Sequence, residues 1–271
     1  MCNALCETFQ NGAICIINRT NYLAHNPFFL KKLKSLNNHF CLVYWFTDIV
    51  EAVRRDVPNI IDICDTYYDF VITYDKNDAL KYNYKYVETP YSVLRDLDCS
   101  KSEVDLFYLG KAKLDVDPGR YEKLIAIFEA ARKKGLKTDF SIVDVPEEMQ
   151  RYSNEISFNN PLPYHEVLDR VSRSKCILEV SQKGESGTTL RMFEAIAYNK
   201  KLLFTNSKMI DHQYYDSRIM KLLVADPHGK YDIDIDFINH HEEKNEKLAS
   251  LLSPYTFISA VEKIVKGEKN E

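Results

Sequence analysis

No CxxC pair, no internal repeat, no excess of basic charge and no apolar run approaching the ~18 residues of a membrane span occurs in the sequence. Each absence removes a class of answer. The seven cysteines are scattered, and Cys41 and Cys176 sit inside apolar runs, where a free thiol behaves as a small hydrophobe, so a reducing compartment is expected. Cys2 and Cys6 are spaced CxxxC with no second ligand pair nearby, which argues against a metal site. With 36 Lys+Arg against 40 Asp+Glu, a net charge of −4, bulk composition offers nothing to nucleic acid. The stretch MCNALCETFQ lacks a basic segment followed by an apolar core, so a cytoplasmic location is expected.

What is present is a chain able to build a core: 271 residues at 45% hydrophobic content suffice for one large core or two modest ones. Short β-type runs alternate with helical patterns throughout. GAICIIN (12–18), HFCLVYWFTD (39–48), DFVITYD (69–75) and YKYVETPY (84–91) read as strands, separated by helix-like stretches 26–37, 49–66 and 76–82. After the polar segment 95–105, further strands are expected at 106–110, 139–145, 155–159, 176–180, 201–206 and 221–225. A helix from Tyr121 to Lys134 carries Leu124, Ile127, Phe128 and Ala131 at helical spacing, with Gly135 as its stop. Ser253 and Pro254 open a last helix striped by Phe257, Val261, Ile264 and Val265. The reading is α/β: two Rossmann-like parallel-sheet domains facing a cleft, at 1–105 and 106–271.

In open parallel sheets ligands sit beyond the carboxyl ends of the strands. KGESGTTLRMFEA (183–195) falls there, between the strand CILEV and a helix. Gly184 and Gly187 allow close backbone approach, the helix start presents unpaired N–H groups, and Ser186, Thr188, Thr189 and Arg191 add hydroxyls and a cation. A phosphate suits such a loop. Leu190, Phe193 and Ala197 are the expected core face of the helix, and Glu194 lies only about 40° from Leu190. The plainer alternative stays open, that Glu194 pairs with Arg191 at i,i+3 and the small residues cap the helix. Gly110, Lys111, Lys113, Gly119 and Arg120 form a second glycine-and-cation loop. In a third element, NNPLPYHEVL (159–168), Leu162 and Tyr164 offer backbone groups and a ring to a flat base, or simply open a helix after Pro163.

The run LFYLGKAK through SGTTLRMFEA and KKLLFTN resembles the donor-binding half of two-Rossmann-domain (GT-B) glycosyltransferases, most closely the bacterial branch that builds capsule, lipopolysaccharide and other surface polysaccharides. The resemblance implies that the loop holds the diphosphate of a nucleotide-sugar donor and that Glu194 binds the donor ribose. Two departures stand out. A second glutamate with seven residues between the pair would fall at Ser186, whereas Glu185 is one position off, and the N-terminal domain is short for the family.

The expected activity is therefore transfer of a sugar from a nucleotide-diphosphate sugar to a glycan or lipid-linked acceptor, with no cofactor and no metal. Asp48 in YWFTDIV is the first candidate for the catalytic base and His25 the second. The acidic repeats DVD (115–117) and DIDID (232–236) are the competing candidates for a metal clamp beside the diphosphate. The alternative function is a nucleotide-sugar-binding or partner protein of the same fold without transferase activity. PFFLKKLKSL (27–36) sets Phe29, Leu30, Leu33 and Leu36 along one side of a helix beside Lys31, Lys32 and Lys34. Such a helix either packs on the first sheet or rests on an anionic membrane face.

Overall fold

The structure is a computed structural model that describes residues 14–18, 22–36, 41–93, 97–99 and 101–267. Cys2, Cys6 and most of the tail GEKNE lie outside the described residues. By packing, the chain divides into two units: Met1–Pro90 with Ser186–Thr188 and Ser253–Glu271, and Tyr91–Glu185 with Thr189–Leu252. This differs from a division at 105/106 in three places. The segment from Tyr91 packs with the second unit, three residues of the glycine loop count with the first, and the last helix also belongs to the first.

The first unit holds a parallel sheet in the order β1-β2-β3-β4, formed by Ile14–Asn18 (β1), Cys41–Phe46 (β2), Phe70–Thr73 (β3) and Lys85–Tyr86 (β4). Both faces of β2 are covered, which explains its unbroken apolar run. Leu42, Tyr44 and Phe46 point into one cluster, completed by Leu30, Val53, Ile60 and Ile63 from the crossover helices. Val43 and Trp45 turn to the other face, where Phe257, Val261 and Ile264 of the last helix, Pro254–Lys266, pack on them. The Ser253 side chain accepts from the Tyr255 N–H, the cap that its sequence announces.

The expected helix 49–66 is two helices, Val50–Asp56 (α2) and Ile60–Tyr67 (α3), because Pro58 forces Val57 into extended backbone (φ −133°, ψ 83°). The expected strand 84–91 shrinks to two residues, and beyond it Glu88 accepts from Tyr86 Oη at 2.8 Å and from the Thr89 N–H at 3.2 Å. Pro27–Leu36 (α1) buries Leu30 completely and packs Phe29 and Leu33 against the same core, and Lys34 pairs with Asp69 at 2.9 Å. Its apolar stripe is thus a core contact; Phe28, Lys31 and Lys32 are the exposed part. Among the described residues no helix is long and apolar enough to cross a membrane.

The second unit contains a six-stranded parallel sheet in the order β10-β9-β8-β5-β6-β7. Its strands are Val104–Lys111 (β5), Thr138–Val143 (β6), Ile156–Phe158 (β7), Ser174–Glu179 (β8), Lys201–Phe204 (β9) and Met220–Leu222 (β10). The chain runs outward from β5 to β7, then returns to the other side of β5 with β8, so the topological switch lies between β5 and β8. Alternate residues serve alternate faces. Leu106, Tyr108, Cys176 and Leu178 meet the long helix Pro118–Lys133 (α5) through Leu124, Ile127, Phe128 and Ala131. Phe107 and Ile177 meet Met192, Phe193 and Ile196 of Leu190–Ala197 (α7) and Val167, Leu168 and Val171 of Tyr164–Arg173 (α6). Leu190, expected in the core face of α7, is 42% exposed, whereas Glu194 is 0% exposed.

Candidate functional site

A switch point between parallel strands opens a crevice at their carboxyl ends, since the following segments leave toward opposite faces. Here the two segments are Ala112–Asp117 after β5 and Val180–Thr189 after β8. They are tied together: Asp117, which does not cap α5 with its side chain, accepts from the Lys183 N–H at 2.9 Å.

Charge gathers under these loops. Tyr108 near the end of β5, Glu179 at the end of β8, Arg120 in α5 and Arg191 in α7 lie close enough to influence one another's ionisation. Burial pushes the Glu179 carboxyl up to about 7, against the opposing bonds from Thr189 and Ser181 and the field of Arg120. Thr189 Oγ1 donates to its Oε2 at 2.6 Å and Ser181 Oγ to its Oε1 at 3.2 Å. Burial likewise raises the Tyr108 hydroxyl. Arg120 Nε is buried and has no hydrogen-bond partner among the described residues. Gly110 is what makes room for this group: a Cβ there would meet the Tyr108 hydroxyl at 2.6 Å and Arg120 Nη2 at 3.7 Å. Its glycine therefore serves a side-chain stack rather than a bare backbone surface.

Glu194 is fully enclosed. Its Oε2 is ion-paired to Arg191 Nη1, and its Oε1 accepts from Tyr164 Oη at 3.0 Å. Tyr164 is held against the same apolar cluster that receives Leu162 and Tyr91. Arg191 also lies over the Phe107 ring, 5.9 Å from its centroid. The sequence placed Leu162 and Tyr164 as a platform for a base; the structure places the Tyr164 hydroxyl on the glutamate instead. At the carboxyl ends of β6 and β7, an open depression of about 510 Å³ is lined by Asp144, Val145, Asn159 and Pro161. Asn159 braces it, donating to the Val145 carbonyl at 2.8 Å and accepting from the Val145 N–H at 3.0 Å. Lys111 faces this side and pairs with Asp144 at 2.9 Å.

The glycine loop itself is divided. Thr189, Arg191 and Glu194 belong to the second unit, whereas Ser186, Gly187 and Thr188 pack with the first. In the first unit the Asp75 carboxylate accepts from the Ser186 N–H at 2.7 Å, the Gly187 N–H at 3.0 Å and Ser186 Oγ at 2.8 Å. It also caps Lys76–Tyr82 (α4) through the N–H groups of Asn77 and Asp78. Thr188 Oγ1 donates to Glu88. These donors were expected to face a diphosphate, and here they hold carboxylates. Asp75, Glu88 and Glu179 were not singled out from the sequence; each is an acid at or just beyond a strand end, and that was the available signal.

Of the candidate bases, Asp48 Oδ1 accepts from the Ile49 N–H at 2.9 Å, at the head of α2. That helix start is further bound by Asp78, which accepts from the Val50 N–H at 2.7 Å. His25 Nε2 lies 3.0 Å from the hydroxyl of the buried Tyr44. The acidic repeats do not converge. Asp117 holds the Lys183 backbone, Asp232 pairs with Lys134 at 2.6 Å, and Asp234 caps a short helix while pairing with Lys221. Among the described residues no cluster of three His, Cys, Asp or Glu side chains is placed to hold a metal ion.

No family model matches the sequence, and no curated protein is detectably similar to it. Solved structures do match. Sucrose-phosphate synthase from Thermosynechococcus elongatus aligns over 98% of this chain and 75% of its own, with TM-score 0.55 and 9% identity. The Anabaena protein HepE in complex with UDP-glucose aligns over 97% and 73%, with TM-score 0.51 and 10% identity. The pneumococcal O-GlcNAc transferase GtfA in complex with UDP and GlcNAc aligns over 97% and 59%, with TM-score 0.53 and 13% identity. The chain has the fold of GT-B glycosyltransferases, with two parallel α/β units as its alternating pattern predicted.

Proposed function

We propose that this protein is a metal-independent glycosyltransferase that moves a sugar from a nucleotide-diphosphate sugar to a glycan or lipid-linked acceptor in bacterial polysaccharide synthesis, of the capsule or lipopolysaccharide kind. The observation that carries this reading is the pair of guanidinium groups at the β5/β8 switch point, one of them with a buried Nε unpartnered among the described residues. Two guanidinium groups, Arg120 and Arg191, stand there with Glu194 and with Glu179, whose carboxyl burial keeps largely protonated below about pH 7. Both guanidinium groups thus stand at the place where this fold class binds phosphates.

In the proposed reaction the acceptor hydroxyl oxygen bonds to the anomeric carbon as the bond from that carbon to the β-phosphate oxygen breaks. The acceptor proton passes to a base, for which Asp48 is the first choice and His25 the second. Negative charge grows on the departing diphosphate, and fixed cations with the N–H groups at the start of α7 stabilise it without reorganisation. The donor's base is assigned to the depression at Asp144 and Asn159, and its ribose to Glu194 after Tyr164 yields Oε1. A lipid-linked acceptor would bring the protein to an anionic membrane face, where Phe28, Lys31 and Lys32 are the groups on offer.

One observation favours the second reading, a donor-binding or partner protein without turnover: the expected donors at Ser186, Gly187 and Thr188 and both oxygens of Glu194 already hold protein partners. A panel of UDP-, GDP- and ADP-sugars assayed for thermal stabilisation, followed by a product assay with the stabilising donor, separates the two. Stabilisation with turnover supports the transferase; stabilisation without release of nucleoside diphosphate supports the binding protein; no stabilisation by any donor overturns both.

A further inference from the structure

At the opposite edge of the second unit's sheet, the amino ends of β8 and β9, lies a cavity of about 300 Å³. Three lysines line it: Lys175 near the start of β8, Lys201 at the start of β9, and Lys200 just before it, with His241, Cys99 and Glu242. Two of the lysines are buried to a degree that ammonium groups rarely accept without a counter-charge: Lys200 is 4% exposed and Lys201 6%. Lys201 has one within reach, with Glu242 at 3.9 Å, and its Nζ also donates to the Arg218 carbonyl at 2.6 Å. Lys175 is paired with Asp105 at 2.8 Å and donates to Asn239.

Lys200 is the exception. Its Nζ donates to the Ser172 carbonyl at 2.6 Å and lies near the Cys99 thiol, and no carboxylate pairs with it among the described residues. Burial holds its ammonium below the usual lysine range, the direction expected of a charge lacking compensation. A buried ammonium held only by a carbonyl and a thiol has room for an anion to complete its coordination. The cavity is polar, carries cations on several sides, and is at the small end of ligand sites.

We propose that this cavity is a binding site for a small phosphate-bearing anion, which supplies the counter-charge of Lys200 and is held by Lys175, Lys200 and His241. The site is separate from the donor residues, which stand at the carboxyl ends of the same strands. One element touches both: the eight-residue helix α7 begins at Thr189, Arg191 and Glu194 and runs directly into Tyr198, Asn199 and Lys200, which line the cavity. An anion bound here therefore fixes the far end of the helix that presents the switch-point residues.

The test is titration of the full chain with inorganic phosphate and, separately, with glycerol 3-phosphate, at ionic strength held constant with NaCl, read by calorimetry and by thermal unfolding. Saturable binding with a raised melting temperature is expected for the wild type, weakened at least about tenfold in Lys200→Met, the loss that one charge-assisted contact implies. Lys200→Met itself should melt no lower than the wild type in phosphate-free buffer, which separates a lost ligand from a lost fold. Arg191→Ala should keep the response. Tighter binding of the ester would identify a phosphorylated metabolite as the source of the anion, and equal binding inorganic phosphate. The proposal fails if phosphate binds no better than chloride, or if the response survives Lys200→Met and disappears in Arg191→Ala, which would place the anion at the switch point. It also fails if Cys99→Ser lowers the melting temperature while phosphate has no effect, since Cys99 alone would then be the partner that Lys200 requires.

Discussion

Thr189 Oγ1 donates to Glu179 Oε2 at 2.6 Å while accepting from the Arg191 N–H, so the residue that caps α7 is itself anchored to the buried acid at the end of β8. The folded carboxyl titrates near 7, above the ordinary glutamate range, because burial disfavours its charged form. The native state then binds a proton that the unfolded state has released between about pH 4.5 and 7. The associated stability is fully present below that window, declines through it, and is absent above it, a difference of about 3 kcal/mol. Denaturant unfolding at pH 5 and pH 8 should show this decline in the wild type and a clearly smaller one in Glu179→Gln.

The clamp of Asp75 on residues 186–187 gives a second expectation. Asp75→Ala leaves two backbone N–H groups and the Ser186 hydroxyl without their acceptor and removes the cap of α4. A loss of about 2–4 kcal/mol is expected, from the cap and the charged hydrogen bonds together. Limited proteolysis should cut within 183–189 sooner in this variant than in the wild type. Unchanged stability and cleavage would show that the contact carries no weight.

Glu194 and its two partners make a third. If Glu194 binds the donor ribose, Glu194→Ala should weaken binding of a nucleoside diphosphate by about tenfold to a hundredfold with the fold retained. Tyr164→Phe should strengthen it roughly fivefold, because the ribose no longer competes with the tyrosine hydroxyl for Oε1. If both variants bind normally and melt earlier, the ion pair and its tyrosine are structural and the donor contact lies elsewhere.

Gly110 tests the packing under the switch point. Gly110→Ala drives a methyl into the Tyr108 hydroxyl and toward Arg120, and overpacking of this kind costs about 1–3 kcal/mol. Donor affinity should fall along with stability, since the displaced groups include a proposed phosphate cation. The pairing of effects is what matters: a stability loss with unaltered donor binding would remove Arg120 from the site.

Metal independence is checked by EDTA. Turnover of the proposed reaction should persist in its presence, because Arg120 and Arg191 supply the positive charge that a metal would otherwise provide. Abolition by EDTA with rescue by Mn²⁺ would point back to the acidic repeats, of which Asp232 and Asp234 are now paired with lysines.

Local sequence determined most of the elements, though it ran two helices together across Pro58 and overextended the strand that starts at Lys85. The period of Leu124, Ile127, Phe128 and Ala131 required α5, the uninterrupted apolar run of 41–46 required a strand covered on both faces, and Ser253-Pro254 marked the start of the last helix. These are short-range consequences of side-chain spacing and backbone preference, and alternation of strands with helices then limits the architecture to parallel sheets. Glycines, hydroxyls and cations likewise marked loops that lie at the carboxyl ends of strands. Only the tertiary structure decided partners. Strand order, which sets the switch between β5 and β8, depends on long-range pairing that no window of sequence contains. The capture of Ser186 and Gly187 by Asp75, the enclosure of Glu194 by Tyr164, and the shift of Glu179 toward neutrality arise from groups far apart in the chain. A side chain's charge state and hydrogen bonds follow from how completely it is removed from water and what surrounds it there, and both are properties of packing.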